Sequence, residues 1–379
     1  MLFYRTAGES HGRAMIALIE GLPAGLGVDE DLINAELARR QGGFGRGGRM
    51  KIETDTVEVL SGTRGGKTLG SPVVLVVTNR DYRIEEAPPV NEPRPGHADL
   101  AGALKFLAPD MRNILERASA RDTAGRVAAG ALAKCLLRQF GIDVLAYVIS
   151  VGGIKARVPE DFGQRRTARD KSELFSTDAE ADEAMKRAIT EAGEAGDTLG
   201  GVFEVVATGA PPGLGSCMQW TERLSGRLAA ALASIPAIKG VEIGMGFAAA
   251  DAKGSQVHDA IGFDKTQRSG PTLGFTRGSN NAGGLEGGMT NGQPIVLRAA
   301  MKPISTLKKP LASVNIETKK SVEAAYERSD VCAVPAASVV GENVVAFEIA
   351  AAMCEKFGGD SLAEMKANCE QFLAKAREI

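Results

Sequence analysis

Aromatic residues are scarce in this 379-residue sequence: they make up 5% of it, with a single tryptophan. A stacking platform is therefore not the expected binding device. An excess of one charge is lacking too. Lys and Arg number 45 against 47 Asp and Glu, a formal charge of −2, so whole-chain basicity gives no reason to expect a nucleic-acid partner. Cys135, Cys217, Cys332, Cys354 and Cys369 form no CxxC pair and no zinc spacing. In a chain of this size they read as reduced core thiols of a cytosolic protein. No uninterrupted apolar run reaches the roughly 20 residues of a membrane span. The opening residues run into a Gly-rich motif without a signal-peptide core. The expected location is cytoplasmic, with no membrane contact. Neither GxGxxG after a strand nor GxxxxGK[ST] occurs, which leaves Rossmann and P-loop readings unsupported. Short-period repeats and Gly/Ser linkers are absent as well, and one α+β domain over 1–379 is expected.

What the chain has in quantity is glycine, 46 residues of it, spread through long loops between helical and strand-like segments. Asp29 is placed to cap a helix running through Arg40, with Ile33 and Leu37 on one face. Val57–Ser61 and Val73–Thr78 read as strands, rich in β-branched residues. Residues 81–95 carry Pro88, Pro89, Pro93 and Pro95 and must be an extended loop. A helix is expected over 123–140, stopped by Gly141. Strands follow at 144–151 and 202–207, with helices at 178–195 and 221–235. Val340, Val344, Phe347, Ala351 and Cys354 mark one closing helix, and Leu362, Met365, Cys369 and Phe372 the last. The charged stretch 157–182 reads as a mobile surface excursion over a site.

Only three histidines are present. His11 and His97 lie in glycine-flanked loops, GESHGR and RPGHAD. An imidazole there can move protons near neutrality, or simply hydrogen-bond its loop. His258, in QVHD, reads as an ordinary polar residue. A cationic loop, RRQGGFGRGGR from Arg39, offers guanidinium forks for phosphate or carboxylate beside accessible backbone N–H groups; a solvated basic loop or an RGG-like RNA segment would look similar. Ser119 and Thr123 stand ahead of a long helix, where an anion is favoured, although Thr123 serves equally as an N-cap.

Taken in order, these segments resemble the chorismate synthase family. The resemblance rests on GESHGR at Gly8, RRQGGFGRGGRM at Arg39, RPGHADL at Arg94, ERASARDTAGRVAAG at Glu116 and GSQVHD at Gly254. It continues through NNAGGLEGG at Asn280, KPISTL at Lys302 and ERSDVCAVPA at Glu327, and so spans almost the whole chain. It implies a lyase that eliminates phosphate from 5-enolpyruvylshikimate 3-phosphate in an anti-1,4 sense. The reaction needs reduced FMN (FMNH2), which lends an electron transiently and accepts a proton at N5.

By the same resemblance His11 protonates the departing phosphate and His97 serves the flavin near N1. Asp330 assists deprotonation at N5. Arg40, Arg46, Arg49, Arg94 and Arg121 form the anion-binding set. Ser119, Arg121, Lys302, Thr306 and Arg328 contact flavin, with Asn281 and Gly287 in the 280–288 loop shaping that pocket. The implied fold is a β-α-β sandwich, helices packed between antiparallel sheets, and the implied assembly a homotetramer. Some relatives add an NADPH-dependent flavin reductase activity; the missing dinucleotide fingerprint favours an external flavin reductant. The rival readings are a nucleic-acid-binding module, which leaves His11, His97 and Asp330 unexplained, and another flavin enzyme that oxidises NADPH without the shikimate-pathway substrate.

Overall fold

The computed structural model describes residues 1–47, 52–327 and 329–379. Its first sheet contains β1 (Phe3–Ala7), β2 (Ala14–Glu20), β3 (Val57–Ser61) and β4 (Val73–Thr78), in the order β1-β2-β4-β3, antiparallel throughout. Alternation builds it. Met15, Ala17 and Ile19 on β2 and Val73, Leu75 and Val77 on β4 are buried, while most of the residues between them are only half-buried. The second sheet contains β5 (Asp143–Val151), β6 (Ile154–Lys155), β7 (Gly201–Thr208), β8 (Ile238–Ile243) and β9 (Ile295–Met301), in the order β8-β9-β7-β5-β6, also antiparallel. Runs of consecutive buried residues in β5 and β7 mean that this sheet is covered on both faces.

The principal helices are α1 (Glu30–Gln41), α2 (Asp99–Phe106), α3 (Arg112–Ala118), α4 (Thr123–Arg138), α5 (Phe162–Lys171), α6 (Ala179–Glu194), α7 (Leu224–Ala233), α8 (Val334–Phe357) and α9 (Leu362–Ala376). Asp29 caps α1 as expected, accepting from the Leu32 N–H at 2.9 Å. Helix α4 packs on the first sheet and α8 on the second, and the two helices pack on each other, so the fold is the expected β-α-β sandwich. Glycine permits the close approach. A Cβ on Gly130 of α4 would lie 2.3 Å from the Asn343 carbonyl oxygen of α8, and one on Gly341 would lie 2.4 Å from the Phe203 ring on β7. One continuous hydrophobic core spans both sheets and the helices between them.

The expected closing helix, α8, runs for 24 residues and holds an 18-residue stretch of mean hydropathy 1.4, long and apolar enough to cross a membrane by length and composition. Glu342, Asn343 and Glu348 interrupt its apolar run, and it lies buried in the core. Two expectations change. Residues 157–182 are no loose excursion: Val158 and Phe162 pack on Leu145, Tyr147 and Val206 on the outer face of the second sheet, and Arg169 is buried. Cys217 is exposed on the loop before α7 and is not a core thiol.

Inside the sandwich lies a closed cluster of charges. Glu342 of α8 accepts from both terminal nitrogens of Arg39, at 3.1 and 3.0 Å, from Arg169 at 3.1 Å, from Lys134, and from the Ala146 N–H at 2.7 Å. Glu36 takes a second contact from Arg39 at 2.8 Å and accepts from the Asn343 amide at 2.8 Å. Burial alone would raise the Glu342 carboxyl; the charges of Arg39, Lys134 and Arg169 prevail and hold it well below the usual range.

Candidate functional site

Between the loop after β1, the end of α1, the loop before α2 and the segment leading into α8 lies a cavity of about 490 Å³. His11, His97, Asp330, Arg40, Arg46, Arg94, Arg121, Ser119, Lys302 and Thr306 all line it. These residues stand more than three hundred positions apart in sequence at the extremes, and the fold brings them to one surface. Arg49 and Arg328 lie outside the described residues. Asn281 and Gly287 are not among the cavity-lining residues: the Asn281 amide donates to the Gln256 and Val257 carbonyls, and Gly287 lies beside Cys217 and Met289. No residue of 157–182 lines the cavity.

Helix α1 delivers Arg40 into a buried pair with Asp55, and Asp55 also accepts from Arg121 at 2.6 Å. One carboxylate thus bridges two guanidinium groups. Arg121 is oriented further by donating to Asn79 at 2.7 Å, with Glu53 at 3.7 Å. Burial, together with the charges of Arg121 and Arg46, lowers Arg40 to about 10 in spite of Asp55. It stays charged at neutral pH. The Nε of Arg40 and one terminal nitrogen of Arg121 are buried donors without a hydrogen-bond partner, and both residues line the cavity.

The Arg-Gly loop that follows α1 is pinned to the approach to α8. Arg46 pairs with Asp330 at 3.0 Å, the Gly47 N–H donates to Asp330 at 2.6 Å, and the Val331 N–H donates to the Gly45 carbonyl at 2.9 Å. Gly45 has a φ of +89°, a conformation that a side chain would strain, and a Cβ there would lie 3.1 Å from Cys332.

Each cavity histidine leans on a carboxylate. Nδ1 of His97 pairs with Asp99, which also holds Arg94 through Nε at 2.8 Å and a terminal nitrogen at 3.0 Å. Arg94 in turn donates to Thr306 at 3.0 Å. Burial would raise the Asp99 carboxyl, yet the hydrogen bonds from His97 and Arg94 hold it well below the ordinary range. His11 contacts Glu116 through Nδ1 at 2.9 Å, and Ser10 Oγ donates to Ser119 Oγ at 3.0 Å. At the far wall, burial and nearby Lys239 lower the Lys302 ammonium.

Glu53, Asp55, Asp81, Asp99 and Glu116 were not singled out from sequence. Asp99 and Glu116 sit inside the motifs RPGHADL and ERASARD, so a carboxylate two residues after His97 was the available signal. Glu116 is 105 residues from its histidine and gave none.

An α+β sandwich that gathers imidazoles, buried guanidinium groups and a carboxylate around one cavity defines an enzyme for anionic substrates. The known proteins that the chain resembles narrow that class. Residues 2–354 match the chorismate synthase family model. The chorismate synthase of Geobacter sulfurreducens is 57% identical and that of Desulforamulus reducens 56%, each alignment covering 100% of both chains. A crystal structure of chorismate synthase superimposes with a TM-score of 0.81 at 44% identity, covering 100% of this chain and 99% of the other. The chain belongs to the chorismate synthase family, and the enzyme class is lyase.

Proposed function

We propose that the chain converts 5-enolpyruvylshikimate 3-phosphate to chorismate and phosphate by a reduced-FMN-dependent anti-1,4-elimination. The observation that carries this is the convergence of His11, His97, Asp330 and four arginines on one cavity. A substrate with a phosphate and two carboxylates, beside a cofactor with its own phosphate, requires concentrated positive charge. Arg40, Arg46, Arg94 and Arg121 supply it, with Arg49 joining by resemblance. The unpaired buried donors on Arg40 and Arg121 suit ligand oxygens. Ser119, Arg121, Lys302 and Thr306, together with Arg328 by resemblance, would hold FMN. Bound and reduced, FMN supplies a transient electron and a proton acceptor at N5.

The chain's own residues orient the substrate and move protons. His11 would give a proton to the leaving phosphate oxygen, His97 would support the flavin near N1, and Asp330, tethered by Arg46 and Gly47, would assist at N5. Residues 1–379 act as one catalytic domain in a cytoplasmic homotetramer. Reduced flavin comes from an external reductant and not from NADPH oxidised by this chain.

An anaerobic assay with chemically reduced FMN and 5-enolpyruvylshikimate 3-phosphate tests the reading. Chorismate absorbance and phosphate should rise together. Folded, flavin-binding protein that gives neither would overturn it, and rapid NADPH oxidation without that substrate would favour a flavin reductase instead.

A further inference from the structure

His11 is held at more points than a loop residue requires. The buried Glu116 of α3 accepts from the His11 main-chain N–H at 2.7 Å through one carboxylate oxygen, which also lies 3.1 Å from Nδ1, and its other oxygen lies nearer, 2.9 Å from Nδ1. The Glu116 carbonyl accepts from the Ser10 N–H at 2.9 Å. On the other side of the ring, Nε2 is 3.8 Å from Asp81, beyond hydrogen-bonding distance, and faces the cavity that both residues line. Arg112 stands 3.8 Å behind Glu116, and Arg83 pairs with Asp81 at 3.1 Å. Arg40, Arg46, Arg94 and Arg121 lie across the cavity.

We infer that Glu116 is a positioning residue that keeps the proton of His11 on Nδ1 and so presents Nε2 to the leaving group. A carboxylate accepts on both oxygens and can take the main-chain N–H and the Nδ1–H together. During the elimination the C–O electron pair leaves with the phosphate, the Nε2 proton of the imidazolium passes to that oxygen, and the neutral ring keeps its remaining proton on Nδ1 against Glu116. Without the carboxylate that tautomer is not favoured. In the serine-protease triad, replacing the orienting carboxylate with an amide leaves the geometry intact and costs about 10⁴-fold through the wrong tautomer. The inference rests on the role proposed for His11, but its first test needs no turnover.

The ligand-free full chain, labelled with ¹⁵N in its imidazoles, contains only three histidines to assign. In its neutral form His11 should carry the proton on Nδ1; a proton on Nε2 would overturn the inference without any variant. Glu116→Gln keeps size but has one acceptor oxygen. The main-chain N–H should retain that oxygen and turn the amide NH₂ toward Nδ1, moving the ring proton to Nε2. Turnover should then fall by roughly 10²-fold or more while KM moves by less than about threefold. Glu116→Asp keeps both acceptors and should recover the Nδ1–H tautomer and part of the rate. An unchanged tautomer in Glu116→Gln, or equal losses in kcat and affinity, would reduce Glu116 to a structural role. If the wild-type chain lacks turnover yet shows the Nδ1–H form, the proposed activity fails and the positioning of His11 stands.

Discussion

Arg39 and Arg40 are neighbours on one helix and belong to two different electrostatic regions. Successive residues on an α-helix project roughly 100° apart, so one step along α1 passes from the closed cluster in the core to the wall of the cavity. Arg39 meets Glu36 and a bidentate Glu342, and those charges outweigh burial and raise its pKa. Arg40 shares Asp55 with Arg121, and burial with the neighbouring cations lowers it to about 10. Both residues are mostly buried. The difference is that the first cluster surrounds its carboxylates inside the core and raises Arg39, whereas the second lowers Arg40 and lines the cavity where a ligand would sit.

Several variants can break or sharpen that contrast. The largest effects belong to proton transfer: His11→Ala and His97→Ala should each lower turnover by about 10²–10⁴-fold. Wild-type rates in either would remove its proton-handling role. Next, Arg39→Met should lower the unfolding free energy in urea by about 3–5 kcal/mol, because Glu342 and Glu36 lose a buried partner. Arg40→Met also takes a buried partner from Asp55, which keeps Arg121, and because burial disfavours the Arg40 charge it should cost less in the same melts, about 1–2 kcal/mol, while weakening binding of the phosphorylated substrate by at least about tenfold. Equal destabilisation by the two would erase the distinction. Arg46→Lys keeps a charge without the planar fork and should raise the substrate Kd about tenfold, measurable by calorimetry. Smallest is His258→Gln. That side chain is exposed and outside the cavity, so rate and stability should remain within about twofold and 0.5 kcal/mol.

Much of this was legible in the sequence, and the limits have physical reasons. Strands β3 and β4 matched residue for residue because β-branched runs bounded by polar residues leave little ambiguity. The cap at Asp29 and the stripes of α7 and α9 were equally plain. Strands β1, β2, β8 and β9 went unnoticed because glycine motifs and mixed polarity flank them. Within the site, residue type and motif pointed to the histidines and arginines that line the cavity. The carboxylates that orient them were hidden because Asp55 and Glu116 act across 66 and 105 residues of separation. The 157–182 stretch looked like solvent-facing charge, yet Arg169 is neutralised by Glu342 from 173 residues away. Such long-range compensation leaves no local pattern.

The position of α8 has a consequence for how the molecule is made. Both sheets and α1, α4 and α7 pack directly or through one another on a helix that begins only at Val334. A ribosome therefore releases two half-covered sheets and their apolar inner faces long before the segment that seals them emerges. During that interval the nascent chain should depend on chaperones to keep it from aggregating. Arg39 must likewise wait for a partner 303 residues downstream, so the helix end that carries Arg40 to the cavity becomes fixed only after that segment has emerged.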